Sequence, residues 1–269
     1  MLASLYSRMC DLNPWFRKFS RKQMYQLMSF GYPRPDWKFM NYGYAPQDAS
    51  QTPALQTEDE INRYCIQLYH HVANAVELGG RDVLEVGSGR GGGADYIKRY
   101  LGPASMVGVD FSNNAVNLCR QHYCLEGLSF ELSDAEHLPF NDRSFDVVIN
   151  IESSHCYGSM EDFLAQVKRV LKPGGYLLFA DFRHCKQLNK LDEQLERTAM
   201  RRIKQENITP NVIKSLDADH DRRMAHIQRG IPKALRQLMR EFAGNKSTWI
   251  YKGFLEGTIV YQNFVYQKV

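Results

Sequence analysis

Short apolar runs alternate with helix-compatible stretches through the middle of the chain. Runs of strand length predict buried strands, and apolar residues three and four positions apart predict the helices that cover them. The predicted elements are strands 82–87, 105–110, 128–132, 144–151 and 175–182, and helices 92–101, 113–124 and 160–171. Buried strands joined through helices are typical of an α/β protein with a mostly parallel sheet.

After this core the pattern becomes helical before it returns to strands. One apolar stripe runs from Leu188 to Ile203, and another helix is predicted between Pro232 and Gly244. The tail then holds two β-rich runs, 248–252 and 258–266, joined through a glycine-flanked turn. These runs predict a hairpin that ends the chain with an antiparallel strand.

The segment before the core is a predicted cap or lid, residues 1–56. It contains eleven of the chain's thirty-two aromatic residues, interleaved with basic residues, and Pro33 and Pro35 interrupt any helix there. Four roles stay open for these aromatics: packing on the core, lining an apolar substrate pocket, contacting a lipid surface, or forming a homo-oligomer. A helix is then predicted from Thr57, as N-cap, to Gly79-Gly80.

The stretch 83–93 joins the first strand to the next helix and is rich in glycine. Glycine suits a tight turn at which the backbone approaches a ligand, because it has no Cβ and accepts positive φ. The spacing Gly87-x-Gly89-x-x-Gly92 matches a dinucleotide fingerprint, so by itself it indicates only a nucleoside-type cofactor.

Acidic residues near the strand ends distinguish between the cofactor classes. Glu85 lies inside the first strand, where its charge would repel a pyrophosphate but suits a cofactor with an amino group and a sulfonium. Asp110 can accept hydrogen bonds from ribose hydroxyls in either class, and Asp134-Ala135 offers a carboxylate to an adenine amino group. The predicted cofactor is S-adenosylmethionine, with S-adenosylhomocysteine as its product.

Five motifs in this order resemble those of the seven-stranded S-adenosylmethionine-dependent methyltransferases, over roughly residues 60–182 and the C-terminal hairpin. They are Val83-Leu-Glu-Val-Gly-Ser-Gly-Arg-Gly, Val107-Gly-Val-Asp-Phe-Ser, Asp134-Ala-Glu-His-Leu-Pro-Phe, Ser144-Phe-Asp-Val-Val-Ile-Asn and Val170-Leu-Lys-Pro-Gly-Gly. Two shorter segments, 151–157 and 41–44, resemble phthiotriol/phenolphthiotriol dimycocerosate and fatty-acid O-methyltransferases and related natural-product enzymes.

The resemblance implies a Rossmann-like seven-stranded α/β sheet with a C-terminal antiparallel hairpin, plus N-terminal and inserted helical caps. The implied divisions are a cap (1–56), a cofactor-binding core (57–185), a helical insertion (186–245) and a hairpin that completes the sheet (246–269). It also implies which residues bind the cofactor: Tyr44, Glu85, Gly87, Ser88, Gly89, Asp110, Phe111, Asp134, Ala135 and Asn150.

Candidate catalytic residues follow the fourth strand, because ligands of open α/β sheets bind outside the carboxyl ends of the strands. His155 is the predicted general base, since an imidazole near its free pKa accepts a proton at neutral pH. Glu152 would orient it, hold the methionine moiety or act as the base itself, and Asp181 and His184 are secondary candidates.

The aromatic cap favours an apolar, bulky acceptor, and a hydroxyl oxygen is the preferred acceptor atom. A C- or N-methyltransferase and a non-catalytic S-adenosylmethionine-binding protein are the alternatives. The Asn/Asp-Pro-Pro-Tyr/Phe motif of amino-group methylators is absent after the fourth strand.

Composition narrows the class of protein further. The net charge of +4 comes without a long basic run, so no nucleic-acid partner is expected. The six cysteines show no Cys-x-x-Cys pair or Cys/His spacing of a metal site, and they suit reduced thiols. No apolar run approaches the ~18 residues of a membrane span, so a cytoplasmic protein without stable membrane insertion is expected.

Overall fold

The computed structural model describes Asn13, Ser20 and residues 37–246 and 248–269. Most of the predicted N-terminal cap therefore lies outside the described residues. The strands are β1 (Asp82–Val86), β2 (Ser105–Asp110), β3 (Leu128–Leu132), β4 (Phe145–Ile151), β5 (Leu171–His184), β6 (Arg201–Asn207) and β7 (Ile259–Gln267). The helices are α1 (Arg63–Ala73), α2 (Gly92–Leu101), α3 (Asn113–His122), α4 (Met160–Val170), α5 (Leu188–Glu196), α6 (Thr209–Ala218), α7 (His220–Gly230), α8 (Arg236–Phe242) and α9 (Trp249–Leu255).

All seven strands form one sheet in the order β3-β2-β1-β4-β5-β7-β6. The first five are parallel to their neighbours, and β7 runs antiparallel to both β5 and β6. The predicted seven-stranded α/β sheet with an antiparallel C-terminal strand is confirmed. The order reverses between β1 and β4, which opens a crevice at the carboxyl ends of these two strands.

Helices cover both faces of the sheet, as parallel strands require. One apolar cluster joins the sheet to α1 and α2, with Leu68 and Ile97 fully buried, and the other joins it to α4 and α5, with Phe163 and Leu195 fully buried. Each such side chain contributes roughly 1.5–3 kcal/mol by leaving water. The two clusters hold the strand ends, and hence the crevice, in place.

Two predicted elements differ from the structure. The helical stripe 188–203 ends early, because α5 stops at Glu196 and Ala199 adopts a left-handed φ of 54°. The following residues, predicted as helix to Ile203, instead form β6 along the outer edge of β7. Ala199 thus breaks the helix, and the free edge of β7 supplies the hydrogen bonds of a strand.

The predicted first strand of the tail hairpin is the helix α9. The side chain of Thr248 accepts a hydrogen bond from the backbone N–H of Tyr251 and caps the helix, and Ile250 and Phe254 are buried four positions apart. The β-rich composition of 248–252 is overridden by this packing. The antiparallel partners of β7 are therefore β5 and β6.

The element before β1 is also shorter than predicted. A 3₁₀ segment, Thr57–Asn62, precedes α1, and α1 ends at Ala73 rather than at Gly79-Gly80. Within the described ranges, no helix is long and apolar enough to cross a membrane.

Candidate active site

The turn between β1 and α2 is fastened to the end of β2. The backbone N–H of Gly87 donates to the carbonyl of Val109 at 2.8 Å, and the N–H of Gly89 donates to Asp110 Oδ2 at 2.9 Å. Gly87 has a φ of +81°, and a Cβ there would lie 2.4 Å from Ser153 Oγ. Only glycine meets both requirements, so glycine at this position lets the turn pack directly against Ser153.

Glu85 lies beneath this turn with 1% of its surface exposed. Its Oε1 accepts a 2.7 Å hydrogen bond from the Tyr69 hydroxyl, whereas its buried Oε2 has no hydrogen-bond partner among the described residues. Burial raises the pKa of Glu85 to about 7. A buried carboxylate oxygen without a donor is unfavourable, so this atom suits an ammonium group of a ligand.

Asp110, at the end of β2, has both carboxylate oxygens bonded to backbone. Oδ1 accepts from the N–H of Ser112 at 2.8 Å, and Oδ2 accepts from Gly89. Burial raises the pKa of Asp110 to about 6. Nearby, the hydroxyl of Ser88 is buried and lacks a hydrogen-bond partner in the part of the chain that the structure describes.

Asn150 connects the ends of β1 and β4 across the crevice and is fully buried. Its Nδ2 lies 2.8 Å from the carbonyl oxygen of Val86, from Ser153 Oγ and from the Tyr157 hydroxyl. Its Oδ1 is buried without a partner among residues 37–246 and 248–269. Glu85, Ser88 and Asn150, at the ends of β1 and β4, therefore each leave one buried oxygen atom without a hydrogen-bond partner among the described residues.

A second polar cluster lies at the ends of β4 and β5 and is centred on Asp181. The His155 ring Nδ1 is 2.9 Å from Asp181 Oδ1, and Ser154 Oγ and the backbone N–H of His155 donate to Oδ2. Arg183 adds an ion pair at 3.0 Å. Burial alone would raise the pKa of Asp181, but the charges of His155 and Arg183 hold it well below its usual range.

The pairing with Asp181 changes what His155 can do at neutral pH. Burial favours the neutral imidazole, but the neighbouring Cys156 and Asp181 outweigh it and raise the pKa of His155 to about 10. The ring also packs on Phe182, with centroids 4.5 Å apart. The pairing with Asp181 therefore favours the protonated imidazolium over a neutral ring that could accept a proton.

Glu152 is partly exposed and lies between the two clusters. It directly follows β4 with a left-handed φ of 47°, and its N–H donates to the carbonyl of Ala180 at 2.9 Å. Such a conformation costs a non-glycine residue roughly 1–3 kcal/mol and is concentrated at functional sites. Glu152 Oε1 accepts from the backbone N–H of Tyr42 at 2.8 Å. Burial, with the nearby charge of Asp181, raises the pKa of Glu152 to about 8 despite this bond.

Residues 37–45, which we name the cover segment, run from the glycine turn to Glu152. A Cβ at Gly89 would lie 2.7 Å from Met40 Cε, so Met40 covers the turn. Further along, the ring of Tyr42 packs on Phe182, with centroids 5.5 Å apart. This part of the predicted cap therefore lies over both clusters.

The structure brings most of the predicted site residues together. Gly89 is bonded to Asp110, and Gly87 to Val109 just before it. Phe111 directly follows β2, and Asp134-Ala135 lies just beyond the carboxyl end of β3. His184 is exposed, and its Nδ1 contacts its own turn at Cys185 and Lys186.

Tyr44 lies elsewhere. Its ring stacks on His71, with centroids 4.2 Å apart, on the face of α1 opposite to Tyr69, which contacts Glu85. Positions 69 and 71 point to opposite sides of a helix because successive residues turn by about 100°. The residue of the cover segment that reaches the acceptor side is Tyr42, and sequence reasoning named its segment but not this residue. Tyr69 and Tyr157 were also missed, since an isolated buried tyrosine has no sequence signature.

The comparisons with known proteins agree with this architecture. Residues 84–179 match a family described as a methyltransferase domain. The phthiotriol/phenolphthiotriol dimycocerosates methyltransferase of Mycobacterium tuberculosis is 39% identical over 244 residues, 91% of this chain and 90% of the relative. The fatty-acid O-methyltransferase of Mycolicibacterium smegmatis is 34% identical over 249 residues, which are 93% of this chain and 90% of the relative.

A solved structure shares the fold. The geranyl diphosphate C-methyltransferase of Streptomyces coelicolor A3(2), in complex with S-adenosylhomocysteine, superposes with a TM-score of 0.62 at 14% identity, covering 91% of this chain and 98% of that chain. With the sequence relatives, the sheet order and the crevice of oxygen acceptors, these findings lead to one assignment. The chain belongs to the S-adenosylmethionine-dependent methyltransferases, and S-adenosylmethionine is its cofactor.

Proposed function

We propose that this methyltransferase transfers a methyl group to a hydroxyl oxygen of an apolar small molecule, with Glu152 as the general base. The observation that carries the proposal is the position of Glu152. It is a half-buried carboxylate of raised pKa that follows β4, next to the cofactor crevice and under the cover segment.

The cofactor residues divide its polar groups between them. Glu85 Oε2 would accept from the amino group, Asp110 would accept from the ribose hydroxyls, and Ser88 and Asn150 offer their orphaned oxygens to the same ligand. Asp134-Ala135 and Phe111, beyond β3 and β2, would contact the adenine. When bound, S-adenosylmethionine supplies an already activated methyl group, so the protein has only to position the acceptor, exclude water and remove its proton.

Glu152 suits proton removal better than His155. A base must be deprotonated before it acts, and the pKa of Glu152, raised to about 8, leaves part of it ionised at neutral pH. His155 is held as an imidazolium by Asp181. Its charge lowers the pKa of Glu152, while Asp181 raises it. Of the two candidate bases named from the sequence, we therefore assign the proton to Glu152 rather than to His155. His155 provides a positive charge beside it.

A cavity next to the cover segment has a mainly apolar wall that supports an apolar acceptor. It lies between this segment and helices α1, α7 and α8. Its apolar lining is Trp37, Phe39, Met40, Ile227, Ile231 and Met239, and its polar lining includes Arg222, Arg223 and His226. Side chains of this kind exclude water and bind chain-like or ring-like apolar groups. The names of the two bacterial relatives, a dimycocerosates methyltransferase and a fatty-acid methyltransferase, point to the same acceptor class.

The test is a screen with methyl-labelled S-adenosylmethionine against long-chain alcohols, fatty acids, phenols and terpenoid alcohols, with mass-spectrometric location of the label. We expect the label on oxygen of an apolar alcohol or phenol, and no label with Glu152→Gln. Label on carbon or nitrogen would overturn the choice of acceptor atom. Cofactor binding without product in any class would support the non-catalytic alternative.

A further inference from the structure

Arg223, on α7, is a buried arginine that bonds to the cover segment. Its side chain is 9% exposed, and its Nε donates to Asp219 Oδ2 at 2.9 Å. Its Nη2 lies 3.3 Å from the carbonyl oxygen of Asn41 and 3.0 Å from that of Tyr42. A planar guanidinium can serve several acceptors in fixed directions, which a lysine cannot reproduce.

One of these carbonyls belongs to the peptide group that contacts Glu152. The Asn41–Tyr42 peptide accepts from Arg223 through its oxygen and donates to Glu152 Oε1 through its N–H at 2.8 Å. A cation on the carbonyl polarises the peptide and makes its N–H a stronger donor. A hydrogen bond from an N–H stabilises the ionised form of a carboxyl group.

The next peptide of the cover segment, Tyr42–Gly43, is held as well, by Arg223 at 3.0 Å and by a second group. Ser215 Oγ, on α6, donates to the carbonyl of Tyr42 at 3.1 Å. The next residue, Gly43, has a φ of +81°, and a Cβ there would lie 2.3 Å from that hydroxyl oxygen. The cover segment is therefore pressed against α6 and α7 at the point where its N–H meets Glu152.

We propose that Arg223 is a positioning residue for methyl transfer, which holds the Asn41–Tyr42 peptide with its N–H on the Glu152 carboxylate. Docking of the cover segment on α7 then prepares Glu152 to accept the acceptor's proton. The inference rests on the proposed role of Glu152 as base. Through Arg223 and the Asn41–Tyr42 peptide, the position of helix α7 would affect proton removal by Glu152 at the end of β4.

Other ionisable groups also face Glu152, and one of them, Cys65, contacts Arg223 itself, with its Sγ 3.9 Å from Nη2. His155 and Asp181 lie on the β4 and β5 side, Tyr261 on β7, and Tyr69 and Cys65 on α1. Because Ser215→Ala leaves all of these charges in place, a shift shared by Arg223→Met and Ser215→Ala is assigned to the lost hold on the cover segment.

The test compares pH–rate profiles of single-turnover methyl transfer for the wild type, Arg223→Met and Arg223→Lys. Because Glu152 must be ionised, the rate rises with pH through its pKa. We expect Arg223→Met to move the midpoint upward by about one pH unit, which is roughly a tenfold loss at pH 7 that disappears above the shifted midpoint. Arg223→Lys keeps the charge but not the hold on both carbonyls, so its midpoint should lie between those of the wild type and Arg223→Met.

Two further variants serve as a negative control and as an independent test of the hold on the cover segment. Arg236→Met removes another cap arginine that bonds only backbone carbonyls of its own region, at Ile231 and Gln228, and should leave the profile unchanged. Ser215→Ala removes the second hold on the Tyr42 carbonyl and should move the midpoint in the same direction by less, even if Arg223→Met does not fold.

Superimposable profiles for the wild type, Arg223→Met and Ser215→Ala would overturn the inference, as would an equal loss at every pH. These results differ from failure of the proposed function. If Glu152→Gln retains wild-type turnover, the base assignment itself is wrong. If Glu152→Gln is inactive while the Arg223 variants keep the wild-type profile, only the positioning role is wrong.

Discussion

We call the region of Glu85, Asp110 and Asn150 the donor half of the site, and Glu152 with the Asp181 cluster the acceptor half. Both halves contain buried carboxylates, but they differ in how far apart along the chain the bonded residues lie. In the donor half, Asp110 is bonded to Gly89 and Ser112, within adjacent strand–helix turns. In the acceptor half, Glu152 is bonded to Tyr42, 110 positions earlier in the sequence.

Because of this difference, cofactor binding can stay constant while acceptor binding varies. Backbone N–H groups of short turns can hold a common cofactor whatever the rest of the protein does. The acceptor half depends on the cover segment, the cap helices and β7, which can change with the acceptor while the donor half stays the same. Ion pairs to Asp181 and a non-glycine residue at positive φ, Glu152, mark the acceptor half.

The largest expected effect is on chemistry in the acceptor half. Glu152→Gln should lower the single-turnover rate by about 10²–10³, because a positioned base contributes on this order, while the cofactor affinity changes less than about twofold. The paired variant His155→Gln should lose less than about tenfold, since it changes a neighbouring charge and not the base. A larger loss for His155→Gln than for Glu152→Gln would reverse the assignment.

In the donor half, Asp110→Ala should weaken S-adenosylhomocysteine binding about 100-fold. It removes an anionic acceptor for two ribose hydroxyls as well as the bond to Gly89, and such charged hydrogen bonds contribute about 1.5–3 kcal/mol each. Isothermal titration calorimetry measures the affinity. Asp142→Ala is the matched control, because that side chain is 71% exposed and should have no effect. An affinity within about threefold of wild type for Asp110→Ala would contradict the ribose assignment.

Backbone geometry of the turn should give the next largest effect. Gly87→Ala places a methyl group 2.4 Å from Ser153 Oγ at a φ of +81°, and we expect it to lower the free energy of unfolding by about 2–4 kcal/mol. Gly174→Ala has a similar φ of +77° but nothing within 4 Å, so it should cost about 1 kcal/mol. Urea unfolding of both variants separates conformational strain from the clash. Equal losses would mean that Ser153 moves aside freely.

The smallest predicted effect is a pH dependence of cofactor affinity. Burial raises the pKa of Glu85 to about 7 in the free protein, and the ammonium group binds the ionised form. Below that pKa a proton must leave on binding, so the Kd should rise about tenfold between pH 8 and pH 6. Glu85→Gln should bind more weakly and lose this dependence over the same range. An unchanged pH dependence in Glu85→Gln would place the titrating group elsewhere.

The donor half could be predicted from sequence because its determinants are local. Positive φ, small size and an acid at a strand end leave a recognisable spacing between Glu85 and Asp110. The role of Tyr42 could not be predicted in this way. Both tyrosines of the 41–44 segment are compatible with the motif, and only the packing against α1 shows that Tyr44 faces His71 while the Tyr42 N–H reaches Glu152.

The sequence by itself therefore determined the parallel core and the cofactor. Hydrophobic period, turn residues and charge placement are properties of neighbouring residues, so they can be recognised in the sequence without knowledge of the fold. Only the tertiary structure decided that 201–207 is an edge strand, that 249–255 is a helix and that Asp181 pairs with His155. Each of these depends on a partner far along the chain, since a free strand edge, a buried helix face and a buried ion pair exist only once the chain has folded.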